Sequence, residues 1–476
     1  MKKFLVMVFM MIFVVPAFAA VQNVKISGDI TTSFVDRQDF DLGMATTQAV
    51  NHGLKSQNIF LTQTRLRIDA DLTDNVSTTV GLINERVWNN ENSSDNNTNY
   101  ANDTNVQLYL ASITLREFLY SPLSITVGRQ IFYYGNGFII GNNNFNLGNG
   151  PLAYIDQDLS LRRSADGVKV VLDYKPLTID LVYFKLVQTL DSVRGLANLT
   201  SGQSINVYGY NLNYQLNDSW NTVLEQYMFA GIAGREETII VDGVANKGDK
   251  WYIPGFRFST NPFQGLNIQG EFAMQFGNQT VDDIVTAAEK RRAMAGQVMA
   301  TYALPVMTKY KPSVNVAYTY MSGDKMAETN YGSSDSKDAK YYTQWHSFMS
   351  DFGAGTIYGT LFNLGNLNVL SAGASVDLLQ DVKASFTWSN VWAADSFGDN
   401  NELSMTQPNY YLYLYPDTKN KGQRGLGNEY DVKLKYSYSE DVDFNLVLGW
   451  FMPADAFSNI NRKAASQALA SVAVKF

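Results

Sequence analysis

The side chains able to do chemistry in this sequence are mostly charges set at every second position. Arg65, Arg67, Asp69 and Asp71 alternate with Leu66, Ile68, Ala70 and Leu72, so an extended backbone puts all four charges on one face. The same phase argument collects Lys169, Asp173, Arg257, Glu271, Arg291, Lys383, Glu429, Asp431, Lys433 and Lys435 on the wet sides of other alternating segments. A ladder of both signs either braces neighbouring strands through cross-strand pairs or lines a path for polar and charged solutes. Catalysis has far less to work with. The chain has only two histidines, His52 and His346, and no cysteine, whereas a hydrolase needs a nucleophile activated by an adjacent base. Neither histidine has a convincing partner in sequence, so no catalytic residue is assigned. Thiolate metal sites are excluded, and no fixed spacing of Asp and Asn supports a calcium loop. No metal or cofactor is expected.

The elements that must position these charges are strands. Tyr208, Tyr210, Leu212, Tyr214 and Leu216 share one face, opposite Gly209, Asn211, Asn213 and Gln215. Leu266, Ile268, Gly270, Phe272, Met274 and Phe276 alternate with Asn267, Gln269, Glu271 and Gln275. Blocks of roughly ten alternating residues are the signature of membrane barrel strands. Strands are expected to begin near Val24, Ile59, Val76, Val106, Leu123, Ser164, Leu177, Ser204 and Trp220. Nine more are expected near Lys250, Leu266, Arg291, Ser313, Leu367, Val382, Asn428, Val442 and Ala465. That predicts an all-β, antiparallel transmembrane barrel of about 18 strands, an even number as single-chain bacterial barrels require. The connections sort by length. Thr73-Asp74-Asn75, Lys175-Pro176, Asn217-Asp218, Gln380-Asp381 and Glu440-Asp441 are short turns. Asn89–Asn105, Gly135–Leu161, Asp324–Asn366 and Ala394–Gly425 are long segments rich in Asn, Gly, Ser and Asp. Short periplasmic turns and long extracellular loops are the outer-membrane pattern.

Both chain ends agree with this location. Lys2 and Lys3, the apolar run Phe4 to Val15, and Ala17-Phe18-Ala19 before a cleavage point read as a secretory signal peptide over residues 1–19. Residues 20–476 then form one barrel domain in the outer membrane of a Gram-negative bacterium. The last strand ends in Phe476, which reads as the signal by which the barrel insertion machinery recognises its clients. Composition fits the alternation. Charged residues are 17% of 476, against about 25% in ordinary soluble domains, and aromatic residues are 13%. Apolar side chains face lipid and polar ones a wet lumen. The net charge of −8, or −10 without Lys2 and Lys3, argues against a nucleic-acid partner.

Two segments need separate treatment. Arg129 shares phase with Ile125 and Val127, which aims it at lipid; either it sits near the outer rim or, as expected here, a bulge at Gly128 turns it inward. Phe138, Ile139, Ile140 and Asn142 lie in a Gly- and Asn-rich loop that has little use for apolar residues in water. This loop is expected to fold into the barrel and narrow it, with packing against neighbouring outer loops as the alternative.

Gly128-Arg129-Gln130, Tyr134-Gly135 and Ile140-Gly141-Asn142 resemble a segment of the alginate-export family of outer-membrane porins. Arg163 and Asp166-Gly167-Val168 continue the pattern, and Gly427-Asn428-Glu429-Tyr430-Asp431 is similar to the family's Gly-x-Glu-x-Asp strand start. The resemblance implies a monomeric 18-stranded barrel that passes a polysaccharide or related polar solute without using energy. It also implies Arg129, Arg163, Asp166, Glu429 and Asp431 as lumen or rim residues. One departure is plain: the alginate-specific member has a strongly basic lumen, whereas this chain has 15 arginines and is net acidic.

The function expected is passive diffusion of a polar solute, either a saccharide or a uronate-type anion, through an outer-membrane porin. The selectivity set is Arg65, Arg67, Asp69, Asp71, Arg129, Arg163, Asp166, Lys169, Arg257, Glu271, Glu429, Asp431 and Lys433. An adhesive or structural barrel is the alternative, for which the run Tyr410 to Tyr415 could supply a sugar-binding surface. An outer-membrane hydrolase comes third. The partners are outer-membrane lipid and a small polar solute or oligosaccharide.

Overall fold

The computed structural model describes residues 23–43, 56–88, 106–141, 159–187, 204–233, 240–241, 244–245, 250–280, 288–323, 341–346, 349–351, 355–362, 364–395, 423–457 and 462–476. The signal-peptide segment, His52, Asn142 and the Tyr410 to Tyr415 run lie outside them.

Eighteen long strands form one antiparallel barrel. The first nine are Asn23–Gln38, Ser56–Thr73, Val76–Val87, Gln107–Leu115, Leu123–Gln130, Ala165–Asp173, Leu177–Val187, Ser204–Gln215 and Val223–Ala233. The rest are Lys250–Phe263, Leu266–Thr280, Ala288–Ala303, Ser313–Met321, Leu367–Leu379, Val382–Ala393, Gly425–Ser437, Val442–Pro453 and Ala465–Lys475. The first strand pairs with the second and also with the last, from Asp29 opposite Lys475 to Gln38 opposite Ser466. Closure leaves no free sheet edge, so every strand's backbone groups find partners without water.

Side-chain phase follows from burial. On the first strand Ser33, Val35 and Arg37 are buried while Ile26 and Ile30 are exposed. On Leu266–Thr280, Glu271, Ala273 and Gln275 are buried while Phe272, Met274 and Phe276 are exposed. Only the inside of a barrel offers anything to bury against, so the odd residues of these strands face inward and the apolar even ones face lipid. Strand starts fall within a few residues of the sequence reading. One of the largest differences, at Trp220, has a local cause. Asp218 accepts hydrogen bonds from the amide and hydroxyl of Thr222, at 2.8 and 2.6 Å, and Asn217 and Asn221 adopt positive φ. These bonds hold the Asp218 carboxyl below the usual carboxylate range and keep Trp220 in the turn, so the strand begins at Val223.

The wall is uneven in height. Leu123–Gln130 has 8 residues, whereas Lys250–Phe263, Leu266–Thr280 and Ala288–Ala303 have 14, 15 and 16. A tilted strand needs about 9–11 residues to span the membrane. This tall sector therefore reaches past the hydrocarbon core to the outer headgroups on its loop side, as Asn23–Gln38 and Ser56–Thr73 do with 16 and 18 residues. There Tyr341–Tyr342 adds a short parallel pairing to Lys290 and Arg291.

Candidate functional site: the barrel lumen

The extracellular half of the lumen is filled by chain. Past Gln130 the alternation continues, with Phe132 and Tyr134 inside and Ile131 and Tyr133 exposed outside. The chain then turns inward, and Phe138, Ile139 and Ile140 are buried against Trp345, Met349 and the wall residues Phe184, Val207, Phe229, Trp251 and Ile253. Ile140 bridges Met349 in parallel; Gly141 N donates to Met349 O at 2.7 Å and Asp351 N to Gly137 O at 2.7 Å. A second cluster joins Ile357, Tyr358, Leu361 and Phe362 to Phe40, Phe451 and Phe457. Leu364 packs against both clusters.

Wall carboxylates hold these inward segments. Glu429 accepts Ile357 N at 3.0 Å and Tyr358 N at 2.6 Å, while Thr356 Oγ1 donates to Asp431 at 2.5 Å. Glu271 accepts Asn136 N at 3.4 Å and the Tyr227 hydroxyl at 2.8 Å. Arg257 ion-pairs with Glu225 and donates to Asn136 Oδ1 at 3.1 Å. Glu85 accepts Leu161 N at 2.7 Å, Ser160 Oγ at 2.8 Å and Gln63 Nε2 at 2.8 Å, and pairs with Arg162 at 2.9 Å. Three wall acids thus each take a backbone N–H from a segment folded into the bore. Glu85, Glu225, Asp180, Arg162 and Asp351 were not singled out in the sequence. The inward phase of Glu85, two residues from buried Ile83, was the available signal.

His346 sits in the same plug, its ring 6.0 Å from that of Trp251 and its backbone bonded to the Gln275 amide. Burial and the nearby Arg291 cation push its pKa down to about 3, so the imidazole is neutral. Burial beside the Asp180 carboxylate pushes the Tyr134 phenol well up, and its hydroxyl donates to Asp180 at 3.1 Å.

The periplasmic half is different. Arg65 pairs with Asp29 at 2.9 Å, Arg67 with Asp69 at 2.7 Å and Asp71 with Arg116 at 3.6 Å, while Lys169, paired with Asp180 at 2.9 Å, lies against the Tyr134 ring of the plug. On the adjoining wall, past the seam between the first and last strands, Lys383 lies opposite Lys435, and Lys433 opposite Ser385. Asp443 meets Lys435 at 3.1 Å and Lys475 at 3.9 Å. Lys383 and Lys433 are exposed and make no ion pair among the described residues.

A family model for alginate export matches residues 22–471. The chain belongs to the alginate-export family. No curated protein matches the sequence. Among solved structures, this family member resembles OccD3 (OpdP) of Pseudomonas aeruginosa, with TM-score 0.54 and 13% identity over 96% of this chain and 92% of that one. OpdK of Pseudomonas aeruginosa matches with TM-score 0.54 and 10% identity over 96% and 99%. OccAB1 of Acinetobacter baumannii matches with TM-score 0.52 and 12% identity over 97% and 98%. At these identities the likeness is one of fold. The protein is an outer-membrane β-barrel of a Gram-negative bacterium.

Placement of the family's motif residues corrects the sequence reading in two cases. Arg129 is not turned inward. Gly128 has φ +120°, yet the register runs unbroken from Leu123 opposite Leu172 to Gln130 opposite Ala165. Arg129 therefore keeps the outward phase of Val127, directly opposite Asp166, and the two form a bidentate pair at 2.8 and 2.7 Å. Both belong to the outer wall, where each neutralises the other. Arg163 does reach the interior, pairing with Asp351 at 3.2 Å. Arg257, Glu271, Glu429 and Asp431 face inward but are engaged with the plug, as is Lys169, whose ammonium lies 5.2 Å from the Tyr134 ring. Arg65, Arg67, Asp69, Asp71 and Lys433 face the lower bore.

Proposed function

We propose that the protein is a porin for passive diffusion of a small polar anion or acidic saccharide. The observation that carries this reading is the lysine strip of the periplasmic half. Lys383, Lys433, Lys435 and Lys475 stand on neighbouring strands, and among the described residues Asp443 is the acid ion-paired with them. Asp377 opposite Lys383 pairs with Lys311, and Asp29 opposite Lys475 pairs with Arg65. The arginines on the adjoining strands are matched by Asp29, Asp69 and Asp71 and add little net field. A cationic lining in a narrow, low-dielectric bore attracts anions. The acidic charge of the whole chain is distinct from the field along this wall. Above the strip, the segments carrying Phe138 to Ile140 and Ile357 to Phe362 act as the constriction.

Reversal potentials across planar bilayers under a salt gradient test this. Anion preference is expected, and replacing Lys383, Lys433 and Lys435 together with Gln should abolish it. Cation preference in the unaltered protein would reject the reading. Liposome swelling with neutral sugars, uronates and amino acids then ranks solutes. The two apolar clusters favour one alternative, a barrel whose role is structural or adhesive; a protein that inserts yet stays silent would support it. Phe476, exposed beside Gly28, remains the proposed signal for the insertion machinery.

A further inference from the structure

The outer wall of the tall sector changes character abruptly at its loop end. On Lys250–Phe263, Leu266–Thr280 and Ala288–Ala303, the outward residues Phe256, Phe272, Met274, Phe276, Met294 and Val298 form an exposed apolar surface. Immediately above it, Lys250 lies opposite Asn278 and Asn278 opposite Lys290, so the three form one row across adjacent strands. Arg292 follows two residues below Lys290 on the same face, its guanidinium 5.8 Å from the Tyr341 ring. Buried Trp251, Ile253, Arg291 and Ala293 mark the inward phase, which fixes Lys250, Lys290 and Arg292 as outward.

Three features make this more than a solvated rim. All three cations are exposed, and none has an ion-pair partner among the described residues. Strands 14 to 16 residues long exceed the span of the bilayer, which puts their loop ends at the level of the outer headgroups. The clustering of outward cations without an ion pair is also particular to this sector among the described residues: at the loop ends around Arg129, that residue is paired with Asp166 and Lys185 lies opposite the same Asp166. On Leu367–Leu379 and Gly425–Ser437 the outward loop-end residues include two bonded asparagines: Asn368 accepts from Tyr318, and Asn428 accepts from Trp388 and Asn390.

We infer that Lys250, Lys290 and Arg292 form a binding site on the outer wall for the phosphate groups of an outer-leaflet glycolipid. Lys250 and Lys290 stand two strand spacings apart, about 10 Å, and reach two anionic groups at once. Asn278 between them supplies a neutral hydrogen-bonding side chain. Tyr252, Phe276 and Met294 below offer an apolar surface for acyl chains, so headgroup and tails are met in the order a leaflet presents them.

The test uses the full barrel in detergent, titrated with bisphosphorylated lipid A, enzymatically dephosphorylated lipid A and phosphatidylglycerol, and read by native mass spectrometry. Tightest retention of the phosphorylated lipid A is expected. Changing Lys250, Lys290 and Arg292 together to Gln should weaken it about a hundredfold, since each cation near an anionic lipid surface contributes about 1 kcal/mol. Equal retention of phosphorylated and dephosphorylated lipid A by the unaltered protein would overturn the site without need of a variant. Equal retention of phosphatidylglycerol and lipid A would overturn the glycolipid assignment. A folded triple variant, judged by its heat-modifiable electrophoretic mobility, that binds as before would overturn the residues named.

Discussion

Along the strand Gly425–Ser437 the inward side chains change their circumstances within a few residues. Glu429 and Asp431 are buried beneath the segment 356–362, whereas Lys433 and Lys435 stand exposed in the bore. All four share one phase and one wall. What separates them is cover: the upper pair is hydrogen-bonded to chain folded in from the loops, and the lower pair meets the solute space. The alternation of a barrel strand therefore decides which charges point inward. The loops decide which of those remain available to a solute. Disturbing the upper half should alter how far the pore opens, and disturbing the lower half should alter what it prefers to pass.

The largest effect is expected from Phe138→Ala. Phe138 is fully buried and stacks 6.2 Å from Trp345. Removing a buried Phe costs about 3–5 kcal/mol. That loss falls on the plug rather than on the barrel, whose ladder closes independently of it, so the result is local release. Single-channel conductance should rise while the thermal stability of the barrel is nearly unchanged. Unaltered conductance with unaltered noise would show that this segment does not narrow the path.

That separation also explains what could be read from sequence. Period-two alternation comes from the strands' own geometry, so inward Arg65, Arg67, Glu271 and Lys433 were legible from neighbours such as Leu66 and Phe272. The apolar run Phe138–Ile140 betrayed an inward loop because exposed Phe and Ile have no compensation in water. The segment around Ile357 and Tyr358 was not legible. Its apolar residues are interspersed with Gly and Thr inside a long polar stretch, and its latch lies on Glu429, more than seventy residues away. Arg129 misled for a physical reason as well. A lipid-facing guanidinium is costly alone, and sequence phase does not reveal that Asp166 stands opposite it on the next strand.

A smaller effect should follow from Glu429→Gln. The carboxyl accepts two backbone N–H groups, one on each oxygen, whereas Gln keeps one acceptor; a hydrogen bond contributes about 0.5–1.5 kcal/mol. The variant should flicker between conductance levels at an unchanged anion-to-cation permeability ratio. Lys433→Gln should do the reverse, shifting the reversal potential with quiet gating. Recording both variants in the same salt gradient sharpens the contrast, and a selectivity change in Glu429→Gln equal to that in Lys433→Gln would erase it.

The smallest effect on transport is expected at Arg129, although it is one of the few arginines in the chain and sits in a motif shared with the family. Its guanidinium is on the outer wall, so Arg129→Gln should leave conductance and reversal potential unchanged. The change should lower barrel stability by about 1–2 kcal/mol, because Asp166 loses a bidentate charged partner on a face turned to the membrane. Adding Asp166→Asn removes the orphaned carboxylate and should restore part of that loss. Stability is read from the temperature at which the folded band disappears on electrophoresis. A shift in reversal potential would put the guanidinium in the solute path. The unbroken register through Gly128, and with it the assignment of inner and outer walls, would then be wrong in this sector.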